Sequence, residues 1–408
     1  MRRFVAATLG VACLFVCPLM LRGEDLGLSL DDVLARARER APVILAARRQ
    51  IDEARGRLVG ASVLLRDNPV VQGAAGPRRR EHDTSTDLDV GISQTFELGG
   101  RRAARIDGAT AGVDVQAARG DDAARRLLRD VSAAFFRAVA ADERVRLART
   151  AEGFLGDLQQ VAARRYRSGD IPVLDLNLAL TAMARARSDR WAAEADVVAT
   201  RGALQVLLGG EVDEPLRLRG ALHGRRRYDL DALLARAPER ADLRELAAEV
   251  GEAEAEVRLG TGAAWPDLGV GVRYGREEGA DIALGALSVT LPLFAHGQEQ
   301  RATGAARASR LRFELDAQRR VVRAQVRTAF DIYQHQVAAA EELEREVLPR
   351  LDENEALSRR SYEAGQLSLP ELLIIRRETL DTRRVHQDRL LDAVLAGVEL
   401  EAAAGVLQ

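Results

Sequence analysis

The sequence predicts a mainly α-helical protein made of two copies of one module, each with a β-hairpin and a very long helical hairpin. The first observation is a repeated motif: Tyr166–Leu176 recurs 196 residues later as Tyr362–Leu372, with tyrosine, glycine and acid in the same places. The second is a change of the apolar period from 3.6 to 2 after a proline in each half. A repeat this long is no solenoid unit and indicates a duplicated domain.

Composition favours long helices and argues against a nucleic-acid partner. Of the 408 residues 30% are charged, yet the formal net charge is only -2 because 60 basic residues nearly balance 62 acidic ones, and the two signs are interleaved along the chain. Arginine supplies all 60 basic residues, which indicates a GC-rich genome more than any arginine chemistry. Abundant Ala and Arg with 4% aromatics are typical of long helices.

Residues 1–23 have the features of a secretory signal peptide, which predicts export. Met1-Arg2-Arg3 precedes an apolar run, Phe4–Leu21, that is too short to be a convincing membrane span. Cys13 and Cys17 both lie within this run. Lipidation of either is an open alternative, which the large residues around Cys17 disfavour. Removal of the signal near Gly23 would leave no cysteine and so no disulfide.

The two predicted repeats cover residues 24–227 and 228–408. The first comprises a helix, a β-hairpin at 69–96 and a helical hairpin at 100–208; the second comprises a helix, a β-hairpin at 266–294 and a helical hairpin at 297–405. Ser29 and Asp229 are suited to cap the first helix of each repeat, and we expect these helices to run to Pro69 and Pro266.

The strands alternate between an apolar face and a face of Asp, Arg, Gly and Ser, with polar loops expected at 77–84 and 275–281. Their length of about ten residues is that of a tilted strand crossing a bilayer. Soluble hairpins packed on helices are the alternative. The polar face, which suits a wet lumen, favours the membrane, although the aromatic girdle is thin.

A very long helix is predicted on each side of the polar turns. Residues 100–166 and 297–362 contain one proline, Pro349, and apolar residues recur at helical spacing. About 65 residues make a rod of roughly 100 Å. The narrow apolar stripe is typical of a coiled-coil seam and not of a globular core. Gly169 and Gly365 break the rods, after which a second helix returns.

Four strands per chain cannot close a barrel, which takes about eight. Open sheet edges in lipid would leave backbone groups unpaired at several kcal/mol each. The chain must therefore assemble with copies of itself, and ring symmetry would join the strands into one barrel above a helical tube. A tube joined to a barrel is a conduit.

Over essentially the whole mature chain, the sequence resembles the TolC family of outer-membrane efflux channels. The resemblance rests on Gln94–Arg102, its counterpart Leu291–Gln298, and the two Tyr-x-x-Gly turns, in this order and with these separations. It implies a homotrimer with a twelve-stranded β-barrel in outer-membrane lipid and an α-helical coiled-coil barrel reaching across the periplasm. It also implies two partners, a periplasmic adaptor and an inner-membrane pump of the RND type. Phe96–Arg102 resembles the metal-cation branch, which is CzcC- or CusC-like.

The resemblance places Asp175 and Glu371 at the periplasmic tip, where a trimer would gather six carboxylates around one constriction. Such a ring favours cations and can gate by repulsion or bridging. The alternative is that both acids cap the returning helices. The chain departs from the family pattern at Ile374, in place of a second acid, and at Leu367, in place of a basic residue.

The same resemblance assigns adaptor docking to the helical-tip turns, with Tyr166 and Gly169 in the first repeat and Tyr362 and Gly365 in the second. The flanking Arg164 and Arg360, with Arg165 and Arg359 beside them, are the candidate contacts. Both glycines also have a structural interpretation, as left-handed residues that end a helix.

No catalytic or cofactor chemistry is predicted. The five histidines are scattered without ligand spacing, so we expect no cofactor and no resident metal site. We therefore predict a non-enzyme that acts as a passive conduit for small molecules or metal cations. A type I secretion channel for proteins is the main alternative, and a periplasmic coiled-coil adaptor is a third.

Overall fold

The computed structural model describes residues 27–79, 84–210, 216–222, 225–277 and 280–407. Within these residues the helices are α1 (Leu30–Arg40), α2 (Pro42–Ser62), α3 (Arg101–Arg167), α4 (Val173–Leu208), α5 (Leu230–Arg236), α6 (Ala241–Gly262), α7 (Gln298–Glu342), α8 (Leu348–Glu363) and α9 (Leu369–Ala404). The strands are β1 (Val70–Arg79), β2 (Thr84–Phe96), β3 (Asp267–Glu277) and β4 (Ala280–Thr290). The predicted signal peptide, with Cys13 and Cys17, lies outside the described residues.

The predicted N-caps are present, but the single helix expected before each hairpin is wrong. Ser29 and Asp32 form a reciprocal capping box, and the Asp229 carboxylate accepts from the Asp231 amide at 3.0 Å. In the first half the helix stops at Arg40, because a residue before proline avoids helical ψ and Ala41 is extended at ψ 130°. In the second half a 3-10 turn containing Pro238 separates α5 from α6.

The four strands form one antiparallel sheet in the order β1-β2-β3-β4. The two hairpins, far apart in sequence, join through β2 and β3, where Val90 pairs with Tyr274 and Ile92 with Val272. The strands run further than expected: β1 extends to Arg79 and β3 to Glu277, so much of both predicted loops is strand. Only β1 and β4 have an edge without a strand partner among the described residues.

Although Val70 and Leu284 lie on the other face, the register gathers most of the apolar side chains on one face of the sheet. Exposed members of this face are Val71, Leu88, Val90, Ile92, Val270, Val272, Tyr274, Leu287 and Val289. The opposite face carries ion pairs between strands: Arg273 lies 2.5 Å from Asp89, and Arg78 lies 2.7 Å from Asp87. The alternation predicted from the sequence therefore produces one mainly apolar face across all four strands and an opposite face that is charged on β1, β2 and β3.

The two long rods differ in continuity. In the first repeat α3 runs for 67 residues without interruption. In the second, a π-helical turn at Leu343–Val347 separates α7 from α8. Pro349 lies just beyond this turn and lacks the N–H of a regular helical bond, while its ring crowds the carbonyl one turn earlier. The wider π turn relieves that conflict without ending the rod.

A compact core lies midway along the rods. The sequence predicted a coiled-coil seam there and no globular core. Helices α1, α3, α4 and α9 meet there around Phe135 and Val131, which are 1% and 0% exposed. Leu28 and Leu218 form a parallel bridge beside it, and a Cβ on Gly220 would lie 3.0 Å from the Phe135 ring. The core depends on a segment with no periodic signal, residues 216–222.

Two helices of the first repeat lie beside two helices of the second. Helix α2 packs on α3, α3 on α6, and α6 on α7, in the same order as the strands above them. Toward the polar turns, α4 and α9 both pack on α3, and α8 packs on α9. Among the described helices, none is long and apolar enough to span a bilayer.

Candidate functional site

The first helical turn reverses the chain between α3 and α4. Gly169 has φ +81°, its amide donates to the Tyr166 carbonyl at 3.0 Å, and the Asp170 amide donates to Arg165 at 2.8 Å. These two bonds close the helix in the manner of a Schellman motif. A Cβ on Gly169 would meet nothing within 4 Å, so glycine is required by the left-handed backbone and not by crowding.

The second turn, between α8 and α9, repeats this geometry. Gly365 has φ +72°, its amide donates to the Tyr362 carbonyl at 3.1 Å, and the Gln366 amide donates to Ser361 at 2.8 Å. The space around Gly365 is equally open. The two turns are thus the same backbone structure built from different side chains.

The helices that return from the turns begin differently. Ser368 caps α9: its hydroxyl donates to Glu371 Oε2 at 2.6 Å, and its amide donates to the same oxygen at 2.9 Å. These hydrogen bonds hold the pKa of Glu371 below its usual range. At the matching position α4 has Pro172, which offers no side-chain cap.

Asp175, the counterpart of Glu371, is half-buried in the first turn of α4. Its amide donates to the Pro172 carbonyl at 3.1 Å, but its carboxylate has no hydrogen bond or ion pair within the described part of the chain. One of the two candidate acids is therefore occupied as a helix cap, while the other is available for a ligand or a neighbouring chain.

A shared apolar cluster joins the ends of the two helical hairpins. Tyr362 is 9% exposed and packs there, whereas Tyr166 is 42% exposed. The other buried members are Leu158, Ala162, Ala179, Leu369 and Leu372. The Arg165 guanidinium lies 6.0 Å from the centre of the Tyr362 ring. The paired tyrosines therefore differ, because Tyr362 packs inside the cluster whereas Tyr166 is exposed to solvent.

The candidate docking arginines lie on the outside of the rods. Arg164 and Arg360 are exposed, and Arg360 Nε donates to the Ala356 carbonyl at 3.3 Å. Arg359 forms an exposed ion pair with Glu363 at 3.1 Å. These side chains are accessible in a single chain.

Sequence reasoning missed Arg376 of α9, which is 7% exposed. Its guanidinium forms an ion pair with Glu355 of α8 and stacks on the Phe154 ring of α3, 3.9 Å from the centroid. Arg383 joins the same carboxylate at 2.8 Å. The available signal was position: Arg376 follows Leu372 by four residues and so lies on the buried face of the helix.

Metal-binding geometry is not found in the described part of the chain, where no group of three or more His, Cys, Asp or Glu side chains could hold an ion. The best histidine contact is a pair, His386 Nε2 at 3.4 Å from Glu344. The functional features near the turns are therefore carboxylates and arginines.

Comparison with known proteins gives the class. Residues 33–210 match the family model described as outer membrane efflux protein. The fold is also that of solved outer-membrane channels. Residues 33–210 therefore carry an outer membrane efflux protein domain, and the chain has the fold of outer-membrane channels, so the resemblance predicted from the sequence is confirmed.

Three similar proteins illustrate the match. The cobalt-zinc-cadmium resistance protein CzcC of Cupriavidus metallidurans is 26% identical over 364 residues, which are 87% of this chain and 85% of CzcC. A crystal structure of CusC, 16% identical, covers 92% of this chain and 91% of its own, with a TM-score of 0.73. The open state of the MtrE outer membrane channel of Neisseria gonorrhoeae is 18% identical and covers 93% of this chain and 89% of its own, with a TM-score of 0.75. The first of these relatives is named as a metal-resistance protein, and the other two are described as membrane channels.

Proposed function

We propose that the protein is a homotrimeric conduit for metal cations or other small molecules, driven by an inner-membrane pump through a periplasmic adaptor. The observation that carries this proposal is the four-stranded sheet. Within the described part of the chain it presents a mainly apolar face and two edges without a strand partner, β1 and β4. In lipid those edges need strand partners, and three copies supply twelve strands for a closed barrel.

The helices support the same assembly. The row α2-α3-α6-α7 follows the strand order and, like the sheet, ends in two open sides. Repeating this row around a threefold axis extends the barrel into a helical tube. The charged face of the sheet, with Arg273 and Asp89, would then line the wet interior.

At the tip, Asp175 is the preferred gate and selectivity residue. Its carboxylate is uncommitted within the described chain, and three copies around a narrow opening would attract cations. Glu371 contributes charge as well, although Ser368 already engages its Oε2. The exposed Arg164 and Arg360, with the turns at Gly169 and Gly365, form the surface for the adaptor.

Metal cations are the favoured cargo because the similar CzcC is named for resistance to cobalt, zinc and cadmium. A conduit needs no tight metal site. We infer a pump of the RND type, with the adaptor joining it to the tip. Type I secretion of protein remains the alternative cargo class, whereas none of the similar proteins named above is a periplasmic adaptor.

Deletion of the gene tests cargo, with survival measured in cobalt, zinc, cadmium and a panel of drugs. Greater sensitivity to the metals, restored by the full chain, is expected. Unchanged tolerance of both metals and drugs would contradict small-molecule efflux and leave protein secretion as the remaining proposal.

Native mass spectrometry of the purified protein tests assembly. A trimer is expected, and a monomer released without detergent would contradict the channel.

A further inference from the structure

An apolar groove lies between α4 and α9, close to the turns, with α3 as its floor. Its volume is about 470 Å³, within the usual range for small-molecule sites of roughly 300–1,000 Å³. The two walls belong to different helical hairpins. Whatever fills the groove would therefore touch both.

Small side chains create the depth of the groove. Ala148 and Ala151 form its floor with Leu155, and Ala182 and Ala186 line the wall on α4. Ile374 stands at the mouth and is 68% exposed. An exposed branched apolar residue beside an alanine-lined hollow favours an apolar body as occupant.

The rim of the groove carries more positive than negative charge. Arg185, Arg376, Arg377 and Arg384 line it, against Asp189 and Asp381. Arg384 neutralises Asp189 at 3.2 Å, and Arg377 lies 3.7 Å from Asp381. Arg185 has no ion pair within the described residues.

Arg376 adds a buried donor to this rim. Its side chain is 8% exposed, and its Nε has no hydrogen-bond partner among the described atoms, although the guanidinium contacts Glu355. Because this nitrogen has almost no accessible surface, Arg376 supplies positive charge beneath the rim and not a direct contact. Arginine also binds carboxylate and sulfonate groups strongly, because its N–H groups match two oxygens.

We propose that this groove binds a drug-sized organic anion with an apolar body. The apolar body fills the space above Ala151 and Ala182, and the anionic group lies between Arg185 and Arg377. A ligand held in this way bridges α4 and α9. The proposal goes beyond conduction, because the site lies between helices of one chain and does not depend on which cargo is exported.

Binding of 1-anilinonaphthalene-8-sulfonate tests the site in the full-length protein reconstituted in lipid nanodiscs. Fluorescence titration, corrected with empty nanodiscs, should show saturable binding. The double variant Arg185→Gln/Arg377→Gln should weaken affinity about tenfold. The matched control Arg187→Gln/Arg389→Gln changes arginines on the same two helices outside the groove and should stay within about twofold. These magnitudes follow from lost charge-assisted hydrogen bonds.

Two further arms test shape and charge. Ala182→Phe fills the groove from a half-buried position and should abolish saturable binding. Auramine O, a fluorogenic apolar cation of similar size, should bind at least tenfold more weakly than the sulfonate. Non-saturable binding, equal losses in the rim and control variants, full binding by Ala182→Phe, or equal affinity for the cation would each overturn the proposal.

Discussion

The two helical turns share one backbone and differ in the residue that begins the returning helix. Both turns place a glycine at positive φ and close with the same two hydrogen bonds from backbone amides to backbone carbonyls. In the second, Ser368 binds Glu371, whereas in the first Pro172 has no hydroxyl to offer Asp175. Asp175 and Glu371 are equivalent in the alignment of the two repeats, yet they differ in hydrogen bonding because serine stands at one cap position and proline at the other. The difference teaches that one repeat uses its acid to cap a helix, whereas the acid of the other has no side-chain partner among the described residues.

Arg376→Ala should produce the largest difference between the repeats. It removes one partner of a buried ion pair and should lower the local opening free energy of α9 by about 2 kcal/mol, since Glu355 keeps some solvent contact. Its counterpart in the first repeat, Leu180, is 45% exposed, so Leu180→Ala should cost less than about 1 kcal/mol. Hydrogen exchange of the tip amides measures both. Equal effects would show that Arg376 does not secure the second hairpin.

The glycines should behave alike. Gly169→Ala and Gly365→Ala each force a Cβ into left-handed backbone at a cost of about 1–2 kcal/mol, with no added clash. Faster exchange and easier proteolysis are expected at each substituted turn, to a similar extent. An effect confined to one turn would break the claim that the two backbones are equivalent.

Removing the serine cap from the second turn and adding one to the first should reverse which returning helix begins with a capping box. Ser368→Ala should destabilise the start of α9 by about 1 kcal/mol. Pro172→Ser should allow a capping box with Asp175 like that of Ser29 and Asp32, and so slow exchange at the start of α4. If Pro172→Ser leaves α4 unchanged, the missing hydroxyl is not the reason for the free carboxylate.

Protonation of the capping acid at low pH should destabilise the start of α9 and not the start of α4. The pKa of Glu371 is lowered by Ser368, so its contribution to stability is present above the unfolded pKa and lost as pH falls through the folded value. Exchange at the start of α9 should therefore accelerate below about pH 4.5, the ordinary glutamate value. Glu371→Gln should remove this pH dependence. Its persistence in that variant would assign the effect to another group.

Much of the fold could be predicted from the sequence because its periodic signals are long. The strand faces, the long rods and the turns at Gly169 and Gly365 follow from alternation, helical spacing and glycine. The break at Pro42 and the π turn before Pro349 required knowledge of how a chain accommodates a proline within an otherwise regular pattern. The compact core around Phe135 was not predictable, since it depends on contacts from the irregular residues 216–222.

The candidate site was predictable only in part. The acids could be aligned, but capping by Ser368 and the absence of a cap at Pro172 depend on side-chain geometry. Arg376 escaped notice because it reads as one more charge on an arginine-rich helix. Its burial against Phe154 arises from the packing of two hairpins that are far apart in sequence.

Single-channel recording in planar bilayers tests the central claim most directly. The wild-type protein should form cation-selective pores. Asp175→Asn should lower cation selectivity at least twofold, because it removes a carboxylate that attracts cations and has no partner among the described residues. It should also raise conductance, because a cation can no longer bridge the carboxylates of three chains and close the opening. Glu371→Gln retains a capping side chain and should change selectivity less. Absence of pores would contradict the conduit, and a larger effect for Glu371→Gln than for Asp175→Asn would contradict the unequal roles of the two turns.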